Sequence, residues 1–583
     1  MSVEISVIAN CDDSVVFWKI EKPIKDCWGF AIERERSVTG GGVQRITLDN
    51  RTGFAKDNPK PGDHRPSTDW PFQRFWWADH SVNSGDRVRY RVVPMIQSSG
   101  GLQEDIGQRS KWSQWTVLSG DAGDGIAAYF NRGLVISQFM ARYLDDLRRK
   151  EGLATRDDAL KLFKKSLDDH ELPIRRFLSG VLRERMLELL KEAKQKKQHV
   201  FGALYELEDE ELVEALAKLG SRGHLVLANG SIQKAKGETS ADARKRDQNA
   251  KARRRLEDAG LEMHGRFISP GALGHNKFLV VASATKKPVA AWTGSTNWTK
   301  TGLCTQINNG LLVKHAGFAQ EFMAQWTRLR DAQNEFPKSL VESNSKPKKL
   351  GVGKSRAEVW FTRAAKKVDL EAIDDAVEGA QEGVLFLMFQ PGAAGTLGTI
   401  RALLKKPGKL YVKGVVSTLP PENAADEDHV EVVAFGDGES HPVGLDIVQP
   451  EGVRRPFSSW AATVTRNEFL FGPGKIGFAI VHSKLIVVDP FTKPVVITGS
   501  HNFSASASGK NDENFVIVRG NTELATEYAA HILSVYHHYR WLAYVNDQQR
   551  KGKNPAAHLR ENDAWQSGHL KGASGKELEF WVR

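Results

Sequence analysis

The sequence predicts a multidomain chain, with an all-β sandwich at the N-terminus followed by two copies of one α/β unit. Three observations lead there. A length of 583 residues exceeds what one ordinary core fills. The first hundred residues alternate short β-branched and aromatic runs with turn-rich segments, whereas the remainder alternates apolar strands with amphipathic helices. A long polar-studded segment at 274–313 recurs at 480–518.

Residues 1–120 carry "SVVFWKI", "WGFAIERE", "QRITLDN" and "DRVRYRVVPMI", which read as strands of a small antiparallel sandwich. The aromatic cluster "DWPFQRFWW", Trp70 to Trp77, is expected to fill its core, with a partner-binding face as the alternative. The first α/β unit is assigned to 121–337. In it "HVFGALYEL" reads as a strand, "EDEELVEALAKLG" as a helix ended by Gly220, and "GHLVLANG" as the next strand. An extra helical stretch near 135–198 includes "IRRFLSGVLRERMLELLKEAKQKK", apolar at helical spacing and without evident chemistry. The Ser, Gly, Pro and Lys of "KSLVESNSKPKKLGVGKSR" read as a linker at 338–356. The second unit, 357–583, repeats the succession with "GVLFLMFQ", "TLGTIRALLKK" and "KLYVKGVV". Its opening "VWFTRA" echoes "AYFNRG" of the first.

Composition narrows the class. A net charge of +11 favours an anionic partner such as nucleic acid or acidic lipid headgroups. No uninterrupted apolar run reaches membrane-spanning length and the N-terminus lacks a signal-like pattern, so a cytoplasmic protein with no stable membrane insertion is expected. Three cysteines, Cys11, Cys27 and Cys304, give no disulfide framework, and no zinc-ligand spacing appears.

The repeated segment carries the chemistry. "GHNKFLVVASATKKPVAAWTGSTNWTKTGLCTQINNGLLV" overlays "IVHSKLIVVDPFTKPVVITGSHNFSASASGKNDENFVIV" with a two-residue insertion. His275 and Lys277 match His482 and Lys484, while Ser295 and Asn297 match Ser500 and Asn502. At the start of a strand, His and Lys two apart point to one face. A Gly-Ser-x-Asn closing the returning strand brings an amide to the same face. Such a set supplies a nucleophile or acid, a fixed positive charge and an amide donor, the requirements for holding an oxyanion. Two sets facing each other would grip a phosphodiester from both sides.

With H-x-K-x(4)-D-x(6)-G-S-x-N complete in the second copy, Asp489 included, the sequence resembles the phospholipase D superfamily over about residues 121–545. The first copy departs from the pattern, having Ala282 for the Asp and Asn308 where the second has Glu513. The resemblance implies a pseudo-twofold pair of lobes sharing one active site, hydrolysis through a phosphohistidine, and no metal or other cofactor. It further implies that a carboxylate at the position of Glu513 bonds its own motif's His482 and keeps that ring protonated as general acid. His275, facing Asn308, would stay neutral and attack phosphorus. A looser resemblance to tyrosyl-DNA phosphodiesterases implies the same order of roles. Separately, the strand around Trp18 and the spacing of Gly85, Tyr90 and Val92 resemble a fibronectin type III module, which implies a protein-docking role for the N-terminal sandwich.

The substrate stays open. Before the first motif, "DARKRDQNAKARRRLED" holds seven basic residues, and on one helix Arg244, Lys251 and Arg255 would form a stripe that tracks a phosphate backbone. Nucleic acid, DNA or RNA, is therefore the expected substrate. A phospholipase D-type lipid hydrolase or transphosphatidylase is the alternative, and a nucleic-acid-binding protein with a vestigial site a third reading. The oligomeric state is left open.

Overall fold

Two strands in this chain, Lys277–Ala282 and Leu485–Val488, are buried at every position. A strand with no solvent face needs neighbours on both edges and cover on both faces, and each of these lies inside a large mixed sheet. The computed structural model describes residues 3–38, 42–59, 63–133, 137–391, 395–405, 410–417, 445–448, 481–550 and 558–583.

The first large sheet has seven strands, in the order Ile126–Phe130, Asn309–Val313, Pro288–Gly294, Lys277–Ala282, His199–Leu204, Gly223–Ala228 and Glu262–Arg266. The second has eight. After an edge strand, Lys348–Val352, come Ser355–Phe361, Asn514–Arg519, Val495–Gly499, Leu485–Val488, Gly383–Met388, Tyr411–Val416 and Leu445–Val448. Apart from that edge strand the two orders run in step. In both, only the last three strands are mutually parallel. The register matches too: Leu204 lies opposite Lys277, and Leu387 opposite Leu485, which puts Met388 level with Lys484.

The stretch expected to be a linker is structured. Lys338–Asn344 forms a helix with Leu340 buried, and Lys348–Val352 pairs with Ser355–Phe361. A low apolar content suffices for an edge strand, which needs only one partner.

At the N-terminus lie a three-stranded antiparallel sheet, Glu4–Ala9, Ser14–Lys19 and Trp76–Asp79, and a five-stranded one built on Cys27–Val38 and Arg87–Ser98. Trp18, Phe30, Ile32, Tyr90 and Val92 share a buried core with Phe72 and Phe75. Trp70 is buried as well, against Phe54 and Leu559, so most of the aromatic cluster is spent on packing. Trp76 stacks on His537 of the long helix Thr522–Arg550, with ring centroids 3.5 Å apart.

Residues 558–583, expected with the second unit, pack both on the second large sheet, where Phe580 stacks on Tyr411 at 4.4 Å, and on the N-terminal sheets. Trp565 Nε1 donates to the Cys27 carbonyl at 2.9 Å, and Trp581 stacks on Phe17 at 4.9 Å while donating to the Tyr411 hydroxyl at 3.1 Å. Large aromatic rings bury most area where three elements meet, and this junction is where the N-terminal sheets meet the second large sheet. The inserted helices Ser137–Lys150, Arg156–Ser166 and Pro173–Gln195 precede the strand His199–Leu204. The last of them buries Arg175 against Asp209 at 2.8 Å.

Candidate active site

Each His-x-Lys pair leads into a central strand, so its side chains emerge at one end of the sheet. Lys277 Nζ donates to the carbonyl of His275 at 2.6 Å, and Lys484 Nζ donates to the carbonyl of His482 at 2.6 Å. The ammonium of each motif is thereby fixed to the backbone of its own histidine. Both lysines and both histidines are buried.

The returning strands end in Gly294 and Gly499 because nothing larger fits. A Cβ on Gly294 would lie 2.2 Å from the Asn309 carbonyl, and one on Gly499 2.3 Å from that of Asn514. This close approach lets Ser295 N bond the Asn309 carbonyl and Ser500 N that of Asn514. Thr299 and Ser504 then cap short helices, Lys300–Cys304 and Ala505–Gly509, each accepting a backbone N–H with its hydroxyl.

The two motifs face each other. The rings of His275 and His482 have centroids 6.4 Å apart at 70°. Their Nδ1 partners are exchanged between the units: His275 Nδ1 bonds Glu513 Oε2 at 2.7 Å, and His482 Nδ1 bonds Asn308 Oδ1 at 3.0 Å. This corrects the expectation that Glu513 serves His482. Glu513 immediately precedes the strand Asn514–Arg519, and its side chain reaches over the junction to the facing imidazole. Serine holds both acceptors. Ser500 Oγ donates to Glu513 Oε2 at 2.7 Å, and Ser295 Oγ to Asn308 Oδ1 at 2.8 Å. Asn308 Nδ2 is occupied by the Gly302 carbonyl at 2.8 Å, so its oxygen must face His482.

Electrostatics follow from burial. His275 is pulled down to about 4 by desolvation, which outweighs the opposing pull of Glu513. Burial works against the charge of Glu513, but His275 and Lys277 prevail and hold its carboxyl below the usual range. The pair is thus a neutral imidazole donating to a carboxylate. His482 lies well below the usual histidine value, through burial and then Lys484, which corrects the expectation that it stays protonated near neutral pH. Burial brings Lys277 down to about 7, and burial with repulsion from Lys277 lowers Lys484 well below its usual value.

Asn297 Nδ2 donates to Glu206 Oε2 at 2.7 Å, and its Oδ1 has no partner among the described residues; neither has Oδ1 of half-buried Asn502. Asp489 is placed apart, at the far end of Leu485–Val488, where its carboxylate accepts the N–H groups of Gln381, Glu382 and Gly383 at 2.7–2.9 Å.

Three residues at the site escaped the sequence reading. Tyr205 and Phe389 follow the strands beside each His-x-Lys at matching register. The Tyr205 ring lies 4.8 Å from that of His275, and Phe389 4.9 Å from that of His482. Each ring also lies 4.8 Å from the Nζ of its motif lysine. Glu206, next after Tyr205, is pushed up to about 7 by burial against the pull of Lys277. The signal was an aromatic residue closing the equivalent strand in both copies.

The basic stripe does not form as expected. The chain makes two short helices, Ser240–Arg244 and Ala250–Asp258, because Asn249 turns inward to hold the Tyr205 and Ala228 carbonyls at 2.9 and 2.8 Å. Lys251 then pairs with Glu210 at 2.6 Å and Arg255 with Glu214 at 2.7 Å. Arg244 is exposed on the other helix.

A family model described as "Cardiolipin synthase, PLD-like domain" matches residues 186–330 and 449–536. No curated protein sequence matches the chain. Among solved structures, the chain is similar to phosphatidylserine synthase of Haemophilus influenzae Rd KW20, with 14% identity over 62% of this chain and 85% of that one, TM-score 0.38. It is similar to Nuc, a phospholipase D family member of Salmonella typhimurium, at 17% identity over 32% and 96%, TM-score 0.19. It is also similar to yeast tyrosyl-DNA phosphodiesterase 1, at 11% identity over 56% and 85%, TM-score 0.30.

Proposed function

Because the chain belongs to the phospholipase D superfamily and is an enzyme that hydrolyses or transfers phosphodiesters, we propose that it is a nuclease working through one site shared by its two α/β units. The observation that carries this reading is the pair of buried imidazoles with ring centroids 6.4 Å apart, flanked by two buried lysines. We read the units as a pseudo-twofold pair, on their matching strand orders, and the N-terminal sheets as a fibronectin type III-like docking module.

His275 is assigned as nucleophile. Its Nδ1–H is directed at Glu513, leaving the Nε2 lone pair to bond phosphorus, and the carboxylate offsets the positive charge the ring then gains. The P–O bond opposite breaks, and the departing oxygen takes the proton of His482 Nε2. An amide behind His482 supports its imidazolium less than a carboxylate would, which makes it the stronger acid. A phosphodiester's negative charge would oppose the burial that keeps His482 neutral. Neutral again, His482 deprotonates the water that releases phosphate from His275. Lys277, Lys484, Asn297 and Asn502 are assigned to the non-bridging oxygens.

The test is parallel incubation with single-stranded DNA, plasmid, RNA and phosphatidylcholine vesicles in EDTA. Nucleolysis lost in His275→Ala and His482→Ala, with phosphate trapped on residue 275, supports the assignment; phosphate trapped on residue 482 overturns it. The description of the matching family model favours a second reading, a lipid phosphodiesterase or transphosphatidylase, which headgroup release without nucleolysis would establish. Tight nucleic-acid binding without turnover would mark the site as vestigial.

A further inference from the structure

The basic cluster before the first motif is largely spent on ion pairs. Lys251 and Arg255 are held by Glu210 and Glu214, Arg253 by Asp247 and Arg246 by Glu238, so most of that cluster is already neutralised. The segment between Gly223–Ala228 and Ala250–Asp258 differs. It carries Lys234, Lys236 and Arg244, all exposed, and none has a carboxylate partner among the described residues.

This loop is bound to the site at both ends. Tyr205, whose carbonyl is held by Asn249 at the loop's end, has its ring 4.8 Å from that of His275. Asn229 Nδ2 donates to the Ser269 carbonyl at 2.7 Å and Ile232 N to Ser269 Oγ at 3.0 Å, which fixes the loop to the segment running into His275. At its end, Gln248 receives Ser231 N at 2.8 Å, and Asn249 holds the Tyr205 carbonyl. Lys234 is three residues from Ser231, at most about 11 Å of extended chain. Glu238 accepts Ala235 N at 2.8 Å and pairs with Arg246, closing the loop on itself and leaving its cations outward.

We propose that a nucleic-acid backbone approaches the catalytic histidines over this loop, its phosphates neutralised by Lys234, Lys236 and Arg244. The proposal rests on the nuclease reading and adds the surface by which the substrate strand is held. Counterions condensed on the nucleic acid are released as protein cations neutralise its phosphates; a cation retained by a carboxylate neutralises none, so the unpaired cations set the salt dependence of binding. A small phosphodiester fills the space between the imidazoles and never reaches the loop.

The experiment compares the full-length protein with Lys234→Gln/Lys236→Gln/Arg244→Gln and with Lys251→Gln/Arg255→Gln. Binding of a fluorescent single-stranded oligonucleotide is measured by anisotropy between about 50 and 200 mM salt, the range where counterion release dominates. The triple variant is expected to lower the slope of log K against log salt by about 2, three cations at roughly 0.7 each. The double variant should leave the slope as in wild type. Turnover of bis(p-nitrophenyl) phosphate should be unchanged in the triple variant. An unchanged slope in the triple variant, or an equal drop in the double, overturns the proposal. So does weakened binding of the triple variant to phosphatidylglycerol vesicles with oligonucleotide binding intact. Cleavage of polynucleotide with an unchanged slope leaves the nuclease reading standing without this surface; a reduced slope with no cleavage does the reverse.

Discussion

Glu513 of the second motif hydrogen-bonds His275 of the first at 2.7 Å, while Asn308 of the first motif hydrogen-bonds His482 of the second at 3.0 Å. The two histidines therefore differ in what stands behind them, and the difference is open to exchange. Glu513→Gln keeps an oxygen for Nδ1 but removes the charge that offsets a phosphorylated ring. A fall in kcat of about 10²-fold or more is expected, on the scale of general acid–base effects, with the burst of phosphohistidine slowed in single-turnover quench experiments.

The converse change, Asn308→Asp, puts a carboxylate behind His482. An opposite charge at hydrogen-bond distance raises an imidazole's pKa by about a unit or more. The alkaline limb of kcat should move up in pH while the plateau falls, since the imidazolium becomes a weaker acid. Stopped-flow pH profiles check both.

Lys277 is pulled down to about 7 by burial, so it is charged below that pH and neutral above. Anion binding needs the charged form. KM for a small phosphodiester is expected to rise as pH climbs through about 7, whereas Lys277→Arg, whose guanidinium stays protonated, should remove the rise. Tungstate should raise the melting temperature of the wild type; at a hundredfold excess over Kd an anion stabilises by about 2.7 kcal/mol. Replacing Lys277 and Lys484 by Met should abolish that gain.

Asp489 accepts three backbone N–H groups away from the imidazoles. Asp489→Asn weakens charge-assisted hydrogen bonds and should cost about 2–4 kcal/mol of stability, measured in urea, without changing kcat of the folded enzyme.

Trp581 joins Phe17 of the N-terminal sheets to Tyr411 of the second large sheet. Trp581→Ala should cost about 3–5 kcal/mol and speed proteolytic release of the N-terminal sheets, read by mass spectrometry.

What could be read from sequence was local. His-x-Lys and Gly-Ser-x-Asn announce themselves because strand alternation and a tight glycine approach act over a few residues, and the duplication supplies the control. The pairing of Glu513 with His275 was hidden because it joins residues 238 apart, and proximity in the motif suggested the wrong histidine. Tyr205, Glu206 and Phe389 were hidden because they follow strands distant in sequence from the motif residues they touch. The basic stripe misled because helical spacing was extended through Asn249, whose buried amide breaks the helix to hold two carbonyls. The contact of residues 558–583 with the N-terminal sheets was hidden because it joins distant positions; Trp565 and Cys27 are 538 apart.

The crossed wiring of the histidines makes this enzyme behave as a logical conjunction. A polypeptide holding one unit alone would carry an imidazole with nothing to set its tilt or proton, and would be chemically mute. Severed within 338–356, the two fragments are expected to regain phosphodiester turnover only on meeting, which an activity assay of the halves, separate and mixed, would read.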